Sequence, residues 1–166
     1  MLLKDGVPTQ EDLQNIYPSV ERLAQGPVSV IECFQQIPCN PCVEACNRGA
    51  IYIKGDINGL PLLAEERCNG CALCISRCPG LAIFVVDQTY SQEYGLVMLP
   101  YEYVPVPEKG QLVTGFNRAG DLLGQFEVIR VISGGKKNMT WVITLAVPQE
   151  LLMEVRSIGR GGLNNA

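Results

Sequence analysis

Eight cysteines stand between residues 33 and 78 of a 166-residue chain, and none lies outside that stretch. Four of them form the run Cys68-Asn69-Gly70-Cys71-Ala72-Leu73-Cys74-Ile75-Ser76-Arg77-Cys78-Pro79, with the spacing C-x2-C-x2-C-x3-C-P. Thiolates recurring at every third residue of a tight, glycine-containing loop can surround a metal centre from three sides. The loop's backbone N–H groups then turn inward toward the negative charge. The fourth cysteine points away from that loop, and Pro79 fixes the direction of the chain beyond it.

A second set lies upstream, in Cys33-Phe34-Gln35-Gln36-Ile37-Pro38-Cys39-Asn40-Pro41-Cys42-Val43-Glu44-Ala45-Cys46-Asn47. Cys39, Cys42 and Cys46 precede Cys71, Cys74 and Cys78 by one constant offset, which makes an internal repeat. The repeat is imperfect. Gln36 stands opposite Cys68, the extra cysteine comes three residues earlier at Cys33, and Asn47 stands opposite Pro79. Two readings of Cys33 compete. The longer loop through Ile37-Pro38 folds back and delivers it as a fourth ligand, or it is a buried structural cysteine beside a three-cysteine or 3Fe–4S site. Eight cysteines with none left over favour the first.

Residues 28–87 resemble the bacterial 2×4Fe–4S ferredoxins, most specifically at the second run. The swapped ligation of that family implies one cluster on Cys33, Cys39, Cys42 and Cys78, and another on Cys68, Cys71, Cys74 and Cys46. Such ligation would lock the two halves together, so that bound metal contributes to folding. A zinc ribbon, with two C-x2-C pairs, would leave the third and fourth cysteine of each loop idle. A disulfide framework belongs to oxidising compartments. The N-terminus Met1-Leu2-Leu3-Lys4-Asp5 turns polar at once, without a secretory or twin-arginine pattern, so a cytoplasmic location is expected.

Composition narrows the remaining classes. The absence of histidine removes the usual general base and the usual zinc or haem ligand. Residues 1–99 carry six Lys/Arg against eleven Asp/Glu, a balance that argues against a nucleic-acid surface. The longest conspicuous apolar run, Leu81–Val86, is far below the roughly eighteen residues of a membrane span.

The expected architecture is α+β in three parts: an N-terminal helical segment (1–27), a dicluster ferredoxin-like domain (28–99), and a β-rich docking module ending in a helix (100–166). Thr9–Asp12 reads as a capping box opening a helix, and Ser19 as the cap of a second turn. Strands are expected at Val28–Ile31, Gly49–Lys54, Leu60–Leu63 and Gly80–Val86, paired beneath the clusters, with Asp56–Gly59 as a hairpin turn. Tyr52 and Phe84, at equivalent positions of the repeat, read as core packing. Pro100, Pro105 and Pro107 mark an extended linker. A meander of Gln111–Phe116, Leu122–Ser133 and Thr140–Val147 follows, its turns at Asn117–Asp121 and Gly134–Asn138, the latter holding a solvated Lys136-Lys137 pair. Its sheet edges are expected to be open. Gln149–Ile158 reads as the final helix, and 159–166 as a frayed tail.

A narrower likeness runs through Ile31-Glu32-Cys33, Ile37-Pro38-Cys39-Asn40-Pro41-Cys42, Pro79–Asp87 and Pro100–Pro107. These stretches resemble ferredoxin-type subunits of multi-subunit FAD-dependent amino-acid or imino-acid dehydrogenases, of the proline dehydrogenase and hydrogen-cyanide-synthase-like kind. The resemblance implies flavoprotein partners holding FAD, in some cases a 2Fe–2S protein, and a relay of single electrons with no bond chemistry on this chain. A free, diffusible ferredoxin with an added structural domain is the alternative, and an iron–sulfur sensor a third reading.

Overall fold

The computed structural model describes residues 2–159. Three short helices open the chain: α1 (Leu2–Asp5), α2 (Gln10–Gln14) and α3 (Val20–Leu23). The capping box is present, with Thr9 Oγ1 accepting from the Asp12 N–H at 3.3 Å and the Asp12 carboxylate accepting from the Thr9 N–H at 2.8 Å. Ser19 Oγ caps α3 by accepting from the Arg22 N–H at 3.2 Å. There follow β1 (Val28–Ile31), α4 (Pro41–Ala45), β2 (Ile51–Ile53), β3 (Pro61–Leu63) and β4 (Ile83–Asp87). Then come β5 (Tyr94–Tyr101), β6 (Leu112–Phe116), β7 (Leu122–Ile132), β8 (Trp141–Pro148) and β9 (Ser157–Ile158).

Seven of these strands form one antiparallel sheet in the order β1-β4-β5-β8-β7-β6-β9, while β2 and β3 make a separate hairpin. Successive side chains of a strand point to opposite faces, and here both faces are covered. Val28, Val30, Phe84, Val86, Val97 and Leu99 point into the larger core, which strands from both ends of the sheet enclose. Ile31, Ile83 and Val85 point the other way and join a second core with Cys42, Cys74, Ile51 and Ile75. The sheet's β1–β4 half is therefore the floor on which the cysteine loops rest. Its far end curls back: Glu32, just past β1, meets Arg118 of the β6–β7 turn and Arg156 ahead of β9, each at 2.7 Å.

The architecture departs from the expected one in several places. Helix is sparse among the described residues, since no α-helix exceeds five residues, and the molecule is mostly antiparallel sheet. The boundary expected between residues 99 and 100 falls inside β5, where Pro100 pairs with Val142 near the strand's end. Instead of an open edge, β8 finds β5 as its partner along eight registered pairs, Tyr94↔Pro148 to Tyr101↔Trp141. No final α-helix forms over Gln149–Ile158. Only Gln149–Leu151 winds, as a 3₁₀ turn, before the chain extends into β9. Arg156 N–H donates to Phe116 O at 2.9 Å and Gly159 N–H to Thr114 O at 2.8 Å, so the free edge of β6 captures the segment. Leu152, Val155 and Ile158 are buried in the large core all the same. Phe84 is core, but Tyr52 is 44% exposed on the hairpin's outer face. Beyond Gly159, the expected tail lies outside the described residues.

Candidate metal centres

The cysteine loops fold so that the eight thiols fall into two groups of four. One cavity of about 370 Å³, solvent at its mouth included, is lined by Cys33, Cys39, Cys42 and Cys78, with Pro61 and Ile83 among its walls. A second, of about 310 Å³, is lined by Cys46, Cys68, Cys71 and Cys74, with Ser29, Arg48 and Ile51. Each cavity thus draws three cysteines from one half of the repeat and one from the other. The first half supplies a third thiol to its cavity because the Phe34–Pro38 loop brings Cys33 back to line it with Cys39 and Cys42. Among the described residues, no three Cys, Asp or Glu side chains gather tightly enough for a single ion. The thiols instead surround a space.

The repeat is visible in backbone as well as in spacing. Gly49 N–H donates to Cys46 O at 3.1 Å, and at the equivalent place in the second half Leu81 N–H donates to Cys78 O at 3.2 Å. Both Gly49 (φ 61°) and Leu81 (φ 52°) are left-handed, and each turn sends the next N–H back to its cysteine. Ala50 N–H meets Cys46 Sγ at 3.3 Å and Ala82 N–H meets Cys78 Sγ at 3.4 Å. Glycine adopts that conformation freely, whereas Leu81 gives up about 1 kcal/mol to it. Gly70 is constrained more strictly, being left-handed (φ 66°) with its Cα against Pro27, where any Cβ would overlap the proline.

The donor chemistry fits an iron–sulfur cluster. The walls are apolar and the donors are soft thiolates met by backbone N–H groups. Burial pushes the Cys42 and Cys74 thiols up to about 11, so a metal centre held there has to displace their protons. Burial also raises Cys33. At Cys46 burial acts in the same direction, but the N–H groups of Ile51, Arg48, Ala50 and Gly49 outweigh it and hold the thiol low.

Two supports of the site carry no signal in sequence spacing. Arg22 is buried on the N-terminal segment and donates to the carbonyls of Glu65, Gly26, Pro27 and Cys68 at 2.6–3.0 Å. It thereby ties residues 19–27 to the entrance of the second cysteine loop, and Ser19 adds a bond to the Glu65 carboxylate at 2.6 Å. Glu32, next to Cys33, accepts from Arg118 and Arg156, partners 86 and 124 residues away. Burial works against its charge, but those two guanidiniums hold its carboxyl below the usual range. Lys136 and Lys137 are exposed in their turn, and Asn138 Nδ2 donates to Ser76 O at 2.5 Å beside the second loop.

The model of the 4Fe-4S dicluster domain matches residues 37–82. Residues 37–82 carry a 4Fe–4S ferredoxin domain. It is a metal-binding, electron-transfer unit, and Cys33 lies four residues ahead of the matched segment. An uncharacterized ferredoxin of Methanocaldococcus jannaschii is 44% identical over 48 residues, 29% of this chain and 30% of that protein. The ferredoxin-type protein NapF of Escherichia coli is 35% identical over 52 residues, 30% of this chain and 32% of that protein. Dimethylsulfide dehydrogenase subunit beta of Rhodovulum sulfidophilum is 37% identical over 62 residues, 37% of this chain and 19% of that protein. The chain thus spans about a third or less of the length of these curated relatives. No solved structure matches. No helix among the described residues is long and apolar enough to cross a membrane.

Proposed function

We propose that this chain is an electron-relay subunit that passes single electrons between a flavoprotein dehydrogenase and an acceptor through two 4Fe–4S clusters. Cluster one takes Cys33, Cys39, Cys42 and Cys78, and cluster two takes Cys46, Cys68, Cys71 and Cys74. The observation that carries the assignment is the sorting of the eight thiols into two cavities of four, each with one cysteine from the opposite half. The clusters, when bound, supply the one-electron chemistry. The chain's own residues hold them: thiolates ligate, Ile83 and Ile51 line the walls, and the N–H groups of Ala50 and Ala82 offset thiolate charge.

The partner is a flavoprotein holding FAD, of the amino-acid or imino-acid dehydrogenase kind, and a 2Fe–2S protein fits the same assembly. Support comes from the likeness at residues 31–42, 79–87 and 100–107, and from a relative that is itself named as a dehydrogenase subunit. Anaerobic purification of the tagged chain from its own cells, with flavin quantitation, tests this reading. Co-elution of an FAD protein whose reduced flavin bleaches the cluster absorbance is expected. An 18.1 kDa brown monomer without flavin would overturn the subunit reading and leave a diffusible ferredoxin.

A further inference from the structure

The two cavities are related by the internal repeat, yet the equivalent positions Ser29 and Pro61 differ in what they can donate to a sulfur. Ser29 of β1 lines the second cavity, and Pro61 of β3, its counterpart at the same offset that separates the cysteines, lines the first. Ser29 is 2% exposed, a lone hydroxyl among Val28, Val30 and Ile31. Its Oγ lies 3.5 Å from Cys74 Sγ and 3.6 Å from Cys68 Sγ, and its N–H donates to Cys68 Sγ at 3.4 Å. A thiolate carries no proton, so once both cysteines are ligands the hydroxyl can only donate to them. Pro61 has neither N–H nor hydroxyl and offers its cavity no such bond. Hydrogen bonds to the sulfurs stabilise the more negative, reduced state of a cluster and raise its potential.

We propose that Ser29 sets cluster two at the higher potential, so that an electron on this chain comes to rest on the cluster held by Cys46, Cys68, Cys71 and Cys74. The inference rests on the two-cluster reading above. Two further features act in the same direction. Cys71 is exposed to solvent, and Arg48 places a positive charge at the rim of the same cavity. Cluster one is therefore the entry side and cluster two the exit side of the relay.

Anaerobic redox titration followed by EPR tests the assignment, with cluster two identified as the potential that survives in Cys33→Ser. In Ser29→Ala, that upper potential is expected to fall by the equivalent of about tenfold in the reduced-to-oxidised ratio, about 59 mV for one electron, while the lower stays put. Ser29→Thr keeps the hydroxyl and restores the wild-type value. Should Ser29→Ala lose cluster two, Pro61→Ser decides, because a new donor there must raise the lower potential. Unchanged potentials in Ser29→Ala, equal shifts of both, or no rise in Pro61→Ser overturn the proposal. All three are read on protein that holds about eight iron, so they leave the two-cluster reading standing. A wild-type chain that binds only one cluster overturns that reading instead.

Discussion

Replacing Cys33 with serine removes one thiolate from the cavity that also gathers Cys39, Cys42 and Cys78. The expected outcome of Cys33→Ser is loss or conversion of cluster one alone, with iron falling from about eight toward about four per chain and the cluster-two EPR signal retained. Beside it, Glu32 carries a different burden. It is a carboxylate 8% exposed that faces two guanidiniums, Arg118 and Arg156, at 8% and 3% exposure. Arg156 also lies over the Phe84 ring at 4.9 Å and donates to the Leu152 and Val155 carbonyls. Glu32→Gln leaves the buried Arg156 without its counter-charge and Arg118 with only the half-exposed Glu154 carboxylate at 3.5 Å. The expected cost is about 3 kcal/mol, read as a lowered Tm or denaturant midpoint. Cysteine spacing made the two groups of thiols legible, because a ligand loop must repeat at short range. Glu32, Arg118 and Arg156 were not legible, since nothing local links residues that meet only after the sheet has curled.

At the scale of elements, strands that alternate or repeat locally could be read, and strands defined by a distant partner could not. Val28–Ile31 and Ile83–Asp87 are dense in β-branched residues and stand before and after the loops, as the repeat requires. β5 carries Pro100, which reads as the start of a linker, and it becomes a strand through pairing with β8 on one side and β4 on the other. β9 is a more extreme case. Leu151, Leu152 and Val155 have the spacing of a helical face, but the β6 edge offers ladder bonds that a short helix cannot match. The N-terminal segment lies against the second cysteine loop because Arg22 and Ser19 tie it down. Arg22→Met is expected to free residues 2–26 for proteolysis and to destabilise the fold by about 2 kcal/mol, since four carbonyls lose charged donors. Arg22→Lys should not restore it, because a single ammonium cannot span the same fork of acceptors. Limited proteolysis with mass spectrometry reads both variants.

Across the whole molecule, the metal-binding half and the cysteine-free half share one sheet. Val28, Val30, Phe84 and Val86 are buried against Val128, Leu145, Val147 and Val155. A chain cut after residue 99 therefore exposes the underside of the floor that carries the cysteine loops. It is expected to aggregate or to fail to retain iron, as judged by size exclusion and iron content. A cut chain that stays monodisperse with full iron would show that the two halves fold separately. The same shared sheet gives both cavities a common bed, with Ile83 of β4 lining the first and Ser29 of β1 the second. The measurement that bears most directly on the central claim is iron and acid-labile sulfide content of the anaerobically purified full chain, with EPR after reduction. Two clusters predict about eight iron and about eight sulfide per chain, and a spin-coupled spectrum from neighbouring reduced 4Fe–4S centres. About four iron with an uncoupled signal, or zinc in place of iron and sulfide, would contradict it.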